Sequence, residues 1–187
     1  MSSQGRFAEV YAAAARDPER FWAEAAADID WSKPWRRVLD GTRPPFYRWF
    51  AGAELNTCFN SVDRHVEAGR GRQNALIYDS PVSQTVARYT FTDLQREVAR
   101  LAGALARLGV GRGDTVVIYM PMVPQAVFAM LACVRLGAIH SVVFGGFAAH
   151  SLASRIDDAK PKVMFTADAG MRGGKPIPYK GLVDEAI

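Results

Sequence analysis

The chain has 187 residues, a formal net charge of +4 and an isoelectric point near 9.3. Apolar residues make up 49% of it and charged ones 22%, an ordinary globular composition with room for a core. The basic residues are scattered, with WRRV at 35–38 and GRGR at 69–72 the densest spots, so no nucleic-acid footprint is present and small anionic ligands are permitted without being identified.

The N-terminus, MSSQGRFAEVYAAAARDPERFW, does not read as a secretory signal, because its alanine run is short and Asp17 and Glu19 follow at once. Those acids, with Glu9, also argue against a mitochondrial transit peptide, and a cytoplasmic location is expected. AEVYAAAAR and PERFWAEAAADI read as two short helices, with Asp17 as N-cap and Pro18 at the first helical position of the second. DWSKPWRRVLDGTRPPFYRWF follows without clean periodicity and reads as an irregular arm. All four tryptophans, Trp22, Trp31, Trp35 and Trp49, fall in these first 50 residues. Rings of that size anchor a segment that has no core of its own. Residues 1–56 are therefore expected to form an N-terminal arm pinned to a larger body, and 57–187 the first part of an α/β domain.

From Thr57 the pattern becomes regular. TCFNSVDRHVEAG reads as a helix ending at Gly69, and NALIYDS and QTVARYTF as strands around a connection containing Pro81. TDLQREVARLAGALARLGVGRGD is a helix, with Thr92 and Gln95 as a possible capping box. Leu94, Val98, Leu101, Leu105 and Leu108 form its apolar stripe, and Gly109 its left-handed close. An alternation follows: strand TVVIYM, helix PQAVFAMLACVRLG, strand AIHSVVF, helix AAHSLASRIDDA, strand KVMFTA. That order implies parallel strands with right-handed crossovers. The helix from Pro124 is apolar nearly all round, so Phe128 and Leu131 are expected deep in the core. Val116–Val134 carries no charge and is long enough to span a bilayer. Pro121 and Pro124 split it into a strand and a helix, so it reads as a doubly covered strand in a soluble core. GLVDEAI opens a further helix.

In an open parallel sheet, ligands bind outside the carboxyl ends of the strands. Three segments fall there: MPMVP, GGFAA and DAGMRGGK. Gly145-Gly146 permits close backbone approach, and the helix starting near Ala148 aims free N–H groups outward. GGF has neither the G-x-G-x-x-G spacing nor a P-loop lysine, so on the residues alone it reads first as a tight strand-to-helix turn. In GMRGGKPIPYK, Arg172 and Lys175 flank Gly173-Gly174 in what reads as a loop without helix or strand pattern. Two cations there could meet one anion, or simply be solvated. Cys58 and Cys133 lie far apart and read as buried or half-buried reduced thiols. His65, His140 and His150 have no metal-type spacing. Ser61, Asp63 and His65 lie two apart on a helix and cannot form a triad. Asp157-Asp158 reads as a solvated helix end. The residues by themselves show no nucleophile, base or metal cluster.

A family resemblance joins these pieces. WSKPWRRVLDG, PPFYRWFAGAELNTCFNSVDRHV, ALIYDSP, YTFTDLQREVARLAGAL, the run from GDTVVIYM to DDAKPKV and TADAGMRGGKPIPYKGLVDEAI together resemble the N-terminal portion of AMP-forming short-chain acyl-CoA synthetases. The likeness runs from about Phe21 to Ile187. The last segment is most similar to the propionyl-CoA synthetase branch, and AGAELN departs slightly from a double glycine common at that place. The resemblance implies the α/β large domain of an adenylate-forming ligase. Such a ligase converts a short carboxylate (propionate or acetate), ATP with Mg2+, and coenzyme A to acyl-CoA, AMP and pyrophosphate through an acyl-adenylate. It implies that Arg172, Gly173, Gly174 and Lys175 match a coenzyme A-binding stretch, and that Gly146 matches a glycine whose backbone faces coenzyme A. No residue of this chain matches the family's ATP-phosphate loop, acyl pocket or C-terminal lysine. The ATP and Mg2+ sites would therefore lie beyond Ile187, the chain alone would be inactive, and its uncovered strand edges would favour self-association. A stand-alone coenzyme A- or nucleotide-binding module without chemistry is the alternative; neither reading involves nucleic acid or a membrane.

Overall fold

A computed structural model describes residues 5–146 and 148–187, leaving Phe147 of the GGF motif outside the described residues. The chain divides into two compact units, 1–56 and 57–187.

In the first unit, α1 (Arg6–Arg16) and α2 (Pro18–Ala26) form as the sequence predicts. Asp17 caps α2, its carboxylate accepting the Arg20 N–H at 3.1 Å, and Pro18 takes the first helical position. The stretch expected to be irregular contains an antiparallel hairpin, β1 (Arg37–Asp40) with β2 (Arg48–Ala51), in the register Leu39 opposite Trp49. Strands of four residues separated by a Pro-containing loop are too short to show a period. The rings of Trp31, Trp35 and Phe50 pack on one another with centroids 5.3–5.4 Å apart, and the Trp31 indole N–H donates to the Ala26 carbonyl at 2.8 Å.

The second unit opens with a helical run whose backbone widens to π geometry over Phe59–Asp63 and Val66–Arg70 and ends where Gly69 turns to φ +76°. Next come β3 (Asn74–Ser80) and β4 (Thr85–Thr90), an antiparallel pair. Helix α3 (Phe91–Arg107) begins directly at the end of β4, so its N-cap is Thr90 and not Thr92. The Thr90 hydroxyl oxygen accepts the Asp93 N–H at 3.1 Å, and the Asp93 carboxylate accepts the Thr90 N–H at 3.1 Å. Gln95, the expected capping partner, instead donates to Asp63 at 2.8 Å. Leu94, Val98 and Leu105 are buried on one stripe, joined by Ala102, while Leu101 is only partly buried. Leu108 is 64% exposed because it is the C-cap residue, past the last turn that faces the core. Gly109, at φ +81°, reverses the chain there.

The parallel sheet follows. Strand β5 (Thr115–Tyr119) lies at its centre, between β6 (Ile139–Val142) and β7 (Val163–Thr166). Alternate residues of β5 serve different cores. Val116 and Ile118 pack with α3 and with α4 (Pro124–Leu136); Val117 and Tyr119 pack with α5 (Ala149–Ala159) and α6 (Tyr179–Ala186). Both faces of β5 are covered, which explains the uncharged run through Val116–Val134. No helix of the described residues is long and apolar enough to cross a membrane. In α4, Phe128, Ala129, Ala132 and Cys133 are buried, whereas Leu131 is only partly so. Cys58 and Cys133 are free and buried. Burial pushes the Cys133 thiol up to about 11 and raises that of Cys58, against a smaller opposing pull from Arg135.

The link from α3 to β5 carries a pH-sensitive brace. Asp114 accepts from the Lys162 ammonium at 2.9 Å and from the Gly111 N–H at 2.8 Å, which hold its carboxyl below the usual range. A depressed carboxyl stabilises the fold above its unfolded value and loses that contribution as pH falls through the folded one. Asp114→Asn is therefore expected to lower the urea midpoint at pH 6, with the gap to the parent closing below about pH 4. A gap that stays constant from pH 6 to pH 3 would contradict this.

Candidate ligand cleft at the strand ends

A cleft of about 620 Å³ opens at the carboxyl ends of the three parallel strands. Its floor is made by Met120–Val123 after β5, Phe144–Gly146 after β6 and Ala169–Arg172 after β7, with the β3–β4 turn on one side. This is where an open parallel sheet leaves backbone N–H and C=O groups uncommitted between diverging connections.

Two loops converge on its glycines. A β-carbon placed on Gly146 would strike the Arg172 guanidinium and would stand 2.5 Å from a ring carbon of Phe144. The Arg172 guanidinium lies 5.4 Å from the centroid of the Phe144 ring, a cation–π geometry. A β-carbon on Gly145 would strike the Tyr179 hydroxyl and stand 2.8 Å from its Cζ. The bare backbone therefore serves neighbouring side chains as well as any ligand, and this turn cannot accept alanine without movement.

Residues 170–177 differ from the expected patternless loop. They form a hairpin, β8 (Gly170–Arg172) with β9 (Lys175–Ile177), closed by Gly173-Gly174 at φ +56° and +74°. Positive φ at both central residues is the two-residue hairpin turn, and Gly-Gly meets its demand without strain. Three-residue strands containing Gly170 and Pro176 show no alternation, although the Gly-Gly pair itself was a readable signal. Arg172 pairs directly with Lys175, so both side chains leave the same face of the ribbon. Of the five candidate residues, Gly146 and Arg172 line the cleft; Gly173, Gly174 and Lys175 lie at the exposed hairpin tip.

The cleft also contains residues that sequence reasoning missed. Tyr179 is 6% exposed, and its ring packs 5.0 Å from that of Tyr119. Burial raises the pKa of both hydroxyls, opposed at Tyr179 by the Arg172 charge. Phe144, Met122 and Met171 remain 62%, 92% and 50% exposed, an apolar rim suited to a flat ring. Among the described residues, Arg172 and Asp79 are the only charged side chains of the lining. One cation, a glycine turn and an apolar rim can bind an anionic group joined to a planar one; they supply no nucleophile or base. A second cleft, about 650 Å³ between α3, α4 and β7, draws its charges from one face of α3, where Glu97 and Arg100 pair with each other at 3.5 Å.

Comparison with known proteins gives two family matches: residues 62–185 to the AMP-binding enzyme family, and residues 7–61 to the acetyl-coenzyme A synthetase N-terminus. A Rattus norvegicus protein named acyl-CoA synthetase short-chain family member 3, mitochondrial, is 50% identical over 186 residues, which is 100% of this chain and 27% of that protein. The propionate–CoA ligases of Salmonella typhimurium and Escherichia coli are each 51% identical over 181 residues, 97% of this chain and 29% of theirs. The chain thus spans little more than a quarter of the length of these relatives. With the larger match covering most of the parallel-sheet unit and the α/β architecture agreeing with it, the chain belongs to the AMP-binding enzyme family.

Proposed function

We propose that this chain forms the coenzyme A-facing wall of a short-chain acyl-CoA ligase acting in the cytoplasm. The ligase condenses propionate or acetate with ATP to an acyl-adenylate, releasing pyrophosphate. The thiol sulfur of coenzyme A then displaces AMP to form the thioester. Residues 1–56 are its N-terminal arm and 57–187 the first part of its large domain. The observation that carries the proposal is the meeting of Gly146 and Arg172 in one cleft although they are far apart in sequence. The relatives' names point to the same chemistry. In this reading Gly146 lets the nucleotide end of coenzyme A lie against the backbone, while Arg172, with Lys175 across the hairpin, meets its phosphates. Gly173 and Gly174 hold that hairpin tight. Among the described residues no three metal-ligating side chains stand together, so Mg2+ is assigned to no residue here, and no step is routed through it.

Calorimetric titration tests the reading. Coenzyme A is expected to bind more tightly than its 3′-dephospho form. Arg172→Ala is expected to remove most of that difference, about 1.5–3 kcal/mol for a charge-assisted contact. Equal affinity for the two forms, or no binding, would sink the phosphate assignment. ATP–pyrophosphate exchange with propionate is expected to be absent from the 187-residue chain alone; robust, mutation-sensitive exchange would overturn the division of labour.

A further inference from the structure

Tyr179 stands where two walls of the cleft meet. Its ring is wedged between two glycines that belong to different loops: Gly145, after β6, and Gly170, which begins β8. A β-carbon on Gly170 would lie 2.7 Å from Tyr179 Cε2, and one on Gly145 would strike the Tyr179 hydroxyl and lie 2.8 and 2.9 Å from Cζ and Cε1. All three carbon distances are shorter than real β-carbon contacts, so neither position accepts a side chain unless the ring or the loop shifts. The ring is held from beneath by Tyr119, which is fully buried in β5. The start of α6 is held by the Lys180 N–H, which donates to the Asp168 carbonyl in the loop after β7 at 3.2 Å. Two residues beyond Gly170 is Arg172, and next to Gly145 is Gly146. The width of one tyrosine side chain, contacted at its Cε1 edge and hydroxyl by Gly145 and at its Cε2 edge by Gly170, therefore lies between the glycine turn and the strand that carries the cation.

We propose that Tyr179 is the positioning residue of this site, its ring acting as the spacer that holds the Gly145-Gly146 turn and the Arg172 hairpin at the separation a phosphate-bearing ligand needs. It acts through Gly146 and Arg172. The proposal rests on the reading of the cleft as a coenzyme A site. It also assigns a reason for glycine at 145 and 170 that differs from the one at 146: these two positions face the spacer, and 146 faces Arg172.

The test uses four single variants and one double variant of the full chain, with two readouts: coenzyme A affinity by calorimetry, and backbone hydrogen exchange at residues 144–146 and 170–172. Tyr179→Phe keeps the ring and is expected to leave both close to those of the parent. Tyr179→Leu removes the spacer and is expected to speed exchange in both loops and weaken coenzyme A binding about tenfold, the scale of one misplaced charge-assisted contact. Val183→Ala, a truncation in the same small core on the same helix, controls for general loosening and is expected to change neither readout at a temperature well below melting. Gly145→Ala is expected to reproduce the loss in the parent but to add little on top of Tyr179→Leu, since the clash is gone. Parent-like exchange and affinity in Tyr179→Leu would overturn the proposal, as would equal losses in Val183→Ala or full additivity with Gly145→Ala. If the parent binds no coenzyme A, the ligand reading fails alone, and the exchange data still decide whether Tyr179 spaces the two loops.

Discussion

Replacing Phe128 by alanine is expected to destabilise the 57–187 unit by about 3 kcal/mol, the lower end of the range for such truncations. Phe128 is 6% exposed, lies on the α4 face that meets the sheet and α3, and packs edge-on to Tyr89 with centroids 5.2 Å apart. Removing the ring takes away that pairing and leaves a void in the larger core. The value falls at the low end because the ring also borders the α3–α4 cleft, from which water can enter and partly fill the space. Urea denaturation followed by backbone circular dichroism checks this. Tryptophan fluorescence does not, since all four tryptophans lie in the first unit. A loss under about 1 kcal/mol would mean that α4 is not packed as described.

Asp63→Ala is expected to cost about 2–4 kcal/mol, approaching the penalty for breaking a buried ion pair. Both Asp63 oxygens accept from Arg135 Nη2, at 2.5 and 2.6 Å, and Oδ1 also accepts from Gln95 at 2.8 Å. Arg135 Nε lies 3.4 Å from the Cys58 sulfur. The two charged side chains are 16% and 26% exposed, too enclosed for water to replace the lost carboxylate well. The cluster joins the end of α4, the π-wound segment and α3, three elements that share no local sequence. Arg135 also sits in the last turn of α4, where a cation suits the helix dipole. Combining Asp63→Ala with Arg135→Met is expected to cost clearly less than the sum of the two single changes. Strict additivity would show that the pair is not coupled.

The parts of this fold that sequence reasoning recovered are those in which a local pattern repeats. Helix α3 shows an apolar stripe over four turns, and β5 and α4 show the long uncharged run of a strand covered on both faces and its crossover helix. The missed elements have too few residues to repeat anything. Strands β1, β2, β8 and β9 have four or three residues each, and Pro176 and Gly170 disguise the last pair. The helix cap was misplaced by two residues because Thr90 and Thr92 each have a suitable partner three positions on. The end of β4 decides between them, and strand pairing is not a local property.

The candidate cleft divides in the same way. Gly146, Arg172 and the Gly-Gly pair at 173–174 were noticeable in the chain because glycine beside a cation is an unusual local composition, and the resemblance gave them a shared purpose. Tyr179 carried no such signal: it reads as an ordinary residue near the start of a short helix. It becomes important only because the α5 crossover and the β8–β9 hairpin bring it against Gly145 and Gly170.

By itself the sequence determined the order of helices and strands from β3 to β7, the parallel sheet and, through resemblance, the family. Hydrophobic period, capping chemistry and turn residues act over a few positions and can be read there. Only the tertiary structure decided that the Arg172 guanidinium fills the space beside Gly146, that one tyrosine side chain lies against both Gly145 and Gly170, and that Asp63 joins three helical segments. Those separations result from packing between elements remote in sequence, where burial and shape set the distance and no local preference encodes it.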